Sequence, residues 1–295
     1  MRSPGPRSSP SQRFVTSLVL LLMLSLHGPA SAHEPDEVAI ADLTAHLSAA
    51  RSPAHALMMR AELHRAAEHW DEAAADLVDA RALDPAAPLL DLCEAVLAFE
   101  RGRASESVPA FERYLSRVPS DGRAHAWYAR ALQSLGESAA AAARFDSALV
   151  RLKHPEPGLV LARVALADSQ QGPEAALAHL DRALARLGAS ASLELAAVDL
   201  EVRLGRIPDA FTRLDRVERA GADPGLLGWQ RGAILQGAGR GLDACVAWSA
   251  ALEALDERAL RRSLSVSQEQ LRVRLRDALD QQLAASAATS RGGTR

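Results

Sequence analysis

The feature that most constrains this chain is a phrase that returns at a nearly fixed interval. In its first copy a small residue, Ala73, is followed by Leu77, then by Ala80, and the phrase closes at Pro85. The small residue recurs as Ser107, Ala141, Ala176, Ala210 and Ala244, at steps of 34, 34, 35, 34 and 34. Four positions after each stands a large apolar residue: Phe111, Phe145, Leu180, Leu214 and Trp248. A spacing of four puts both residues on one face of a helix. A period this long and this regular marks an array of stacked supersecondary units, none of which can bury both of its faces alone.

Each unit reads as two helices joined by a short turn. The second helix carries the phrase above. The first helix has a compact residue at the matching depth: Ala61, Ala95, Ala129, Val164, Val198 and Gly232. The reason is steric, since a larger side chain there would push the two helices apart. Gly102, Gly136, Gly172, Gly205 and Gly239 fall at or beside the turns. A glycine there can take the left-handed conformation that ends a helix. The first copy departs, with Glu68 and His69 in that place. Pro109 breaks a local rule. It lies beyond the first turn of a predicted helix, where it removes a backbone donor and should kink or loosen the helix. The repeat register predicts a helix there all the same.

Composition narrows the class. Aromatic residues make up 4% of the chain, which argues against a sheet-rich fold. The net charge is −3, so there is no basic footprint for nucleic acid. Cys93 and Cys245 fall in the second and sixth repeats. Stacked units touch only their neighbours, so the two thiols are read as small buried residues and not as a disulfide.

The ends read differently. Residues 1–32 have a basic start at Arg2, Arg7 and Arg13, an apolar run from Phe14 to Leu26, a break at Gly28-Pro29 and small residues at Ala30-Ser31-Ala32. That is the pattern of a secretory signal cut before His33, with retention as an anchor as the other outcome. The expected location is exported, periplasmic or secreted, with no membrane span after cleavage. Residues 33–53 are expected to form an N-terminal capping helix, with Val38, Leu43 and Leu47 on its apolar stripe. The six repeats span 54–258. Residues 259–284 are expected to form a C-terminal capping helix, and 285–295 a disordered tail.

With six copies in register, the chain resembles bacterial exported tetratricopeptide-repeat proteins. The matching residues are Ala73, Leu77, Ala80 and Pro85 and their later counterparts, across 54–258. The resemblance implies an all-α, right-handed α-solenoid of about six helix-turn-helix repeats with a capping helix at each end. It also implies a concave groove, lined by the first helices, that holds a protein or peptide partner. Carried over by register, groove positions fall on Met58, Met59 and Glu62, and on Leu92, Cys93, Val96 and Phe99. They continue at Arg123, Trp127 and Arg130, at Asp168, at Asp199 and Arg203, and at Trp229 and Gln236. Some members grip a peptide's C-terminal carboxylate with lysines and asparagines. Here those positions hold Met58, Met59, Cys93 and Trp127, and the chain has no asparagine.

Two groups of residues carry recognisable chemistry. Arg123, Trp127 and Arg130 are spaced for one helix face. Two guanidinium groups beside an indole suit an acidic or C-terminal group of a ligand, although an exposed arginine pair flanking a core tryptophan gives the same pattern. Met58, Met59 and Phe99 suit an adaptable apolar patch, or ordinary packing between helices. The partner-binding set is therefore Met59, Phe99, Arg123, Trp127, Arg130, Asp199, Arg203 and Trp229. No His-x-x-x-His pair at metal spacing occurs in a predicted helix, and no glycine-rich phosphate loop, G-x-S-x-G or H-E-x-x-H is present. The reading is a non-enzymatic scaffold without a cofactor. The alternative is a small-ligand or metal-binding envelope protein that uses the groove or a free His33 terminus.

Overall fold

A computed structural model describes residues 33–46, 52–188 and 190–292, with side chains described over 37–45, 52–188 and 190–285. The proposed signal at 1–32 and the residues at 293–295 lie outside the described residues. The described residues form 14 α-helices and no strand. They divide into two compact units, with the boundary between Gln170 and Gln171.

The first unit holds α1 (His33–His46), α2 (Pro53–Ala66), α3 (Trp70–Leu83), α4 (Pro88–Glu100), α5 (Ala104–Arg117), α6 (Gly122–Ser134), α7 (Ser138–Arg151) and α8 (Pro157–Gln171). Helices α2 and α3, α4 and α5, and α6 and α7 pack as hairpins. The repeat register is met in the core. Ala73, Ser107 and Ala141 are buried, and so are Leu77, Phe111 and Phe145 four positions on. Opposite them Ala61, Ala95 and Ala129 are buried on the first helices. Full burial of each large side chain contributes roughly 1.5–3 kcal/mol. A second aromatic layer lies beside Phe111. Its ring stacks on Tyr128 at 5.5 Å, and the Tyr128 hydroxyl donates to Glu112 at 2.9 Å.

The turns explain how the hairpins close. Gly136 has φ 79°, and the next residue's N–H returns to the Leu132 carbonyl, which caps α6. In the first repeat Glu68 does the same work at φ 60°, and the His69 N–H bonds the His64 carbonyl. Glu68 is the only non-glycine residue with positive φ among the described residues. The turn geometry is kept although the usual residue is absent. Helix α5 runs unbroken through Pro109. Burial of Ser107, Ala110 and Phe111 on either side of the proline holds it in register.

The second unit holds α9 (Pro173–Leu187), α10 (Ala191–Arg203), α11 (Ile207–Arg219), α12 (Pro224–Gly237), α13 (Gly241–Arg261) and α14 (Val266–Gly292). Ala176, Ala210 and Ala244 are buried, with Leu180, Leu214 and Trp248 beyond them. The last hairpin shows a size exchange. Trp248 is the largest residue at its position in the array, and it faces Gly232. A Cβ on Gly232 would stand 2.1 Å from Trp248 Nε1. Gly228 meets the Ala251 Cβ in the same way, at 2.5 Å. Glycine is therefore required where the partner helix carries an indole.

The ends differ in detail from the sequence reading. Helix α1 starts at His33 and packs on α2. Val38 is 62% exposed, whereas Leu43 is half-buried, and Arg60 of α2 donates to the Thr44 hydroxyl at 2.9 Å. At the other end α14 continues to Gly292, so the span expected to be a disordered tail is helical over most of its length. Helix α14 packs on both α12 and α13. Leu275 is buried, and Leu271 and Leu279 lie against the Trp248 cluster.

Candidate functional site

In the first unit the first helices of successive repeats touch one another: α2 meets α4, and α4 meets α6. The positions that register assigns to the groove lie on these helices. Met59 is 49% exposed on α2, whereas its neighbour Met58 is buried in the core with Leu57. Leu92, Cys93 and Phe99 are half-buried on α4, and Trp127 and Arg130 on α6. Phe99 and Trp127 meet edge to face, with ring centres 6.0 Å apart. The Arg130 guanidinium carbon lies 5.0 Å from the Trp127 ring centre, in cation–π contact. The sequence-derived trio is thus brought together in part. Phe99 joins Trp127 and Arg130 directly, while Arg123 is exposed one helix turn away from Trp127, at the start of α6. Asp121 caps that start by accepting from the Arg123 and Ala124 backbone N–H groups.

Charge on this face is distributed unevenly. Toward α2, Arg65 donates to both Glu62 and Glu100. Cys93 lies beside Glu62 and Arg65. Burial, aided by Glu62, pushes its thiol up to about 12, so it stays protonated and unreactive. Toward α6 the picture reverses. Among the described residues no carboxylate pairs with Arg123 or Arg130.

The groove positions of the second unit behave differently. Asp199 and Arg203 lie 4.0 Å apart along α10 and pair with each other. Trp229 stacks on Trp248 at 5.9 Å, and its carbonyl accepts from the Trp248 indole N–H. It packs against the cluster that α14 joins, so it serves the core. Gln236 donates to Gln282 of α14 at 3.2 Å. The C-terminal helix therefore covers part of the α12 face that register assigns to the groove.

Sequence reasoning missed the buried ionic centre of this unit. Arg213 donates to Glu201 at 2.7 Å, to Glu194 at 3.0 Å and to Asp181 at 2.6 Å. Arg213, Glu194 and Glu201 are all buried. Burial opposes the charge of Arg213, but the three carboxylates outweigh it and raise its affinity for the proton. A signal for such pairs exists. Arg213 and Asp181 are 32 residues apart, Arg65 and Glu100 are 35 apart, and so are Arg258 and Asp223. Opposite charges one repeat apart are candidates for pairing between stacked units.

The described residues hold no group of three or more His, Cys, Asp or Glu able to bind a metal ion, and no helix among them is long and apolar enough to cross a membrane. The chain carries no catalytic motif. No protein-family model matches the chain, and no curated protein matches it in sequence. Solved structures do resemble it. A tetratricopeptide repeat protein from Parabacteroides merdae ATCC 43184 aligns with TM-score 0.50 and 13% identity over 93% of this chain and all of that one. PilF of Pseudomonas aeruginosa aligns with TM-score 0.51 and 13% identity, over 75% of this chain and 97% of that one. PilW, a type IV pilus biogenesis factor, aligns with TM-score 0.53 and 16% identity, over 72% and 94%. Identities this low speak for the fold alone. Register, core and structural likeness together give the described residues an all-helical, tetratricopeptide-type fold.

Proposed function

We propose that the chain is an exported, non-enzymatic adaptor that holds a protein or peptide partner against the inner face of its first unit. The observation that carries this reading is the set of half-buried apolar side chains on α4 and α6, Leu92, Phe99 and Trp127, with the exposed Met59 on the adjoining α2. A partner that covers such side chains gains hydrophobic contact at little ordering cost to a rigid face. Export is supported by the basic, apolar and small-residue succession in residues 1–32.

Site-specific photocrosslinking tests the face. A photoreactive residue at Met59 is compared with one at Val78, which is 68% exposed on α3. A partner crosslinked from position 59 and not from 78 supports the reading. The reverse pattern moves the binding surface to the other helices and sinks it. N-terminal sequencing of the protein from the exported fraction tests the other half: His33 is the expected first residue, and Met1 contradicts cleavage.

A further inference from the structure

Most arginines of the first unit are paired with carboxylates within it. Arg60 is held by Asp76, Arg65 by Glu62 and Glu100, Arg81 by Asp91 and Glu94, and Arg163 by Asp146. Four have no carboxylate partner among the described residues: Arg144 lies over the Tyr128 ring and Arg151 donates to the Pro119 and Ser147 carbonyls, both on α7, whereas Arg123 and Arg130 stand at the groove positions of α6. Arg130 is held by its contact with the Trp127 ring, which orders the side chain and uses none of its N–H donors. An ordered guanidinium with free donors, beside a ring pair, is complementary to a carboxylate that follows or precedes an apolar side chain. Arg123 lies seven positions earlier on the same helix, a rise of roughly 10 Å. That separation suits a second acidic group better than a shared one.

Resting on the inner-face reading above, we infer that the occupant is an internal acidic segment of a partner protein. An aromatic or branched aliphatic side chain sits on Phe99 and Trp127, one Asp or Glu is held by Arg130, and a second meets Arg123. A general electrostatic attraction is not the basis, because the chain as a whole carries a net charge of −3. Recognition is local, at two cations left unpaired on a face whose other charges are matched. Nucleic acid offers anions too, but it does not match an apolar seat between the two cations and is repelled by the rest of the chain.

The test uses the purified chain and an array of random-sequence peptides with amidated C-termini, so that no terminal carboxylate is present. Peptides with Asp or Glu next to an aromatic or aliphatic residue are expected to be retained. Replacing that acid by its amide should weaken binding about ten-fold or more. Arg130→Gln should weaken the acidic peptide by a similar factor and leave the amide peptide unchanged. Where Arg130→Gln also lowers the melting temperature, Arg130→Lys serves instead, since it keeps the charge and should recover part of the binding. Retained peptides that lack acids, yet compete with crosslinking at position 59, overturn the acidic occupant and leave the inner face as the site. Retained peptides that ignore both Arg130→Gln and the position-59 crosslink overturn the inner face itself, as does an array that retains nothing. Competition by a single-stranded oligonucleotide, with no response to peptides, overturns the peptide class.

Discussion

The two units are built from one repeat and use its freedom in opposite ways. In the first unit the positions that register assigns to the groove hold a half-buried ring pair, Phe99 and Trp127, and two arginines without a carboxylate partner among the described residues, Arg123 and Arg130. In the second the corresponding positions are spent internally. Asp199 pairs with Arg203, Trp229 stacks on Trp248, and Gln236 meets α14. The second unit also buries Arg213 with Glu194 and Glu201, and the more exposed Asp181 completes the ionic centre. The lesson is that repeat register assigns a residue to a face but does not assign it a task. The task depends on what lies opposite, and α14 lies opposite part of the last repeat.

The largest effect is expected from the ionic centre. Arg213→Ala leaves Glu201 buried without its cation and Glu194 with Arg216 alone. Breaking a buried pair from one side typically costs about 3–5 kcal/mol. Urea unfolding should show a much lower midpoint for this variant. A midpoint close to that of the unaltered chain would mean that the carboxylates are solvated, and the contrast between the units would lose its basis.

The next effect concerns the hairpin of α12 and α13. Gly232→Ala forces a methyl group into the Trp248 indole. Overpacking of this kind typically costs about 1–3 kcal/mol. The double variant with Trp248→Leu should recover much of that loss, because leucine occupies the same position in three other repeats of the array, Leu77, Leu180 and Leu214. Thermal melting of the single and double variants measures both. Additive losses would deny the size exchange.

A smaller effect of opposite sign belongs to the first unit. Glu68 holds a left-handed conformation at φ 60°. For an L-residue that conformation costs about 1–2 kcal/mol, and glycine avoids it. Glu68→Gly should therefore raise the melting temperature slightly, against the greater freedom it gives the unfolded chain. A lower melting temperature would show that the Glu68 side chain contributes more than its backbone costs.

The smallest effect is a pH dependence within the first unit. Burial holds the His125 imidazole below its usual range, against the opposing bond to the Pro119 carbonyl. The folded state thus favours the neutral ring. Its contribution to stability is complete above the unfolded value of about 6.5 and is lost as pH falls below it. His125→Gln should flatten that part of the stability curve. An unchanged slope would assign the loss to other groups.

Much of the fold was legible in the sequence, and the reason is geometric. Positions where two helices touch tolerate only a narrow range of sizes, so Ala73, Ser107 and Ala141 repeat with the period. Gly232 was legible only as one more compact residue, and its close fit against Trp248 came from the structure. The inner face was legible only as a set of positions. Its outcome depends on which long side chains find partners, and arginine has several rotamers and five donors. Nothing in the period says that Arg65 is saturated while Arg130 stacks on an indole. The extension of α14 to Gly292 was missed because its last turns lack the apolar period, although their alanines, strong helix formers, carried a signal for it.

The central claim is that the open inner face belongs to the first unit and the spent one to the second. The most direct test is a calorimetric titration with the partner captured from position 59, using Arg130→Ala beside Arg203→Ala. Both residues are assigned to the groove by register, and neither is buried. Arg130→Ala should weaken binding about ten-fold or more with little change in melting temperature, while Arg203→Ala leaves affinity unchanged. Weakened binding by Arg203→Ala, with Arg130→Ala indistinguishable from the unaltered chain, would contradict the account.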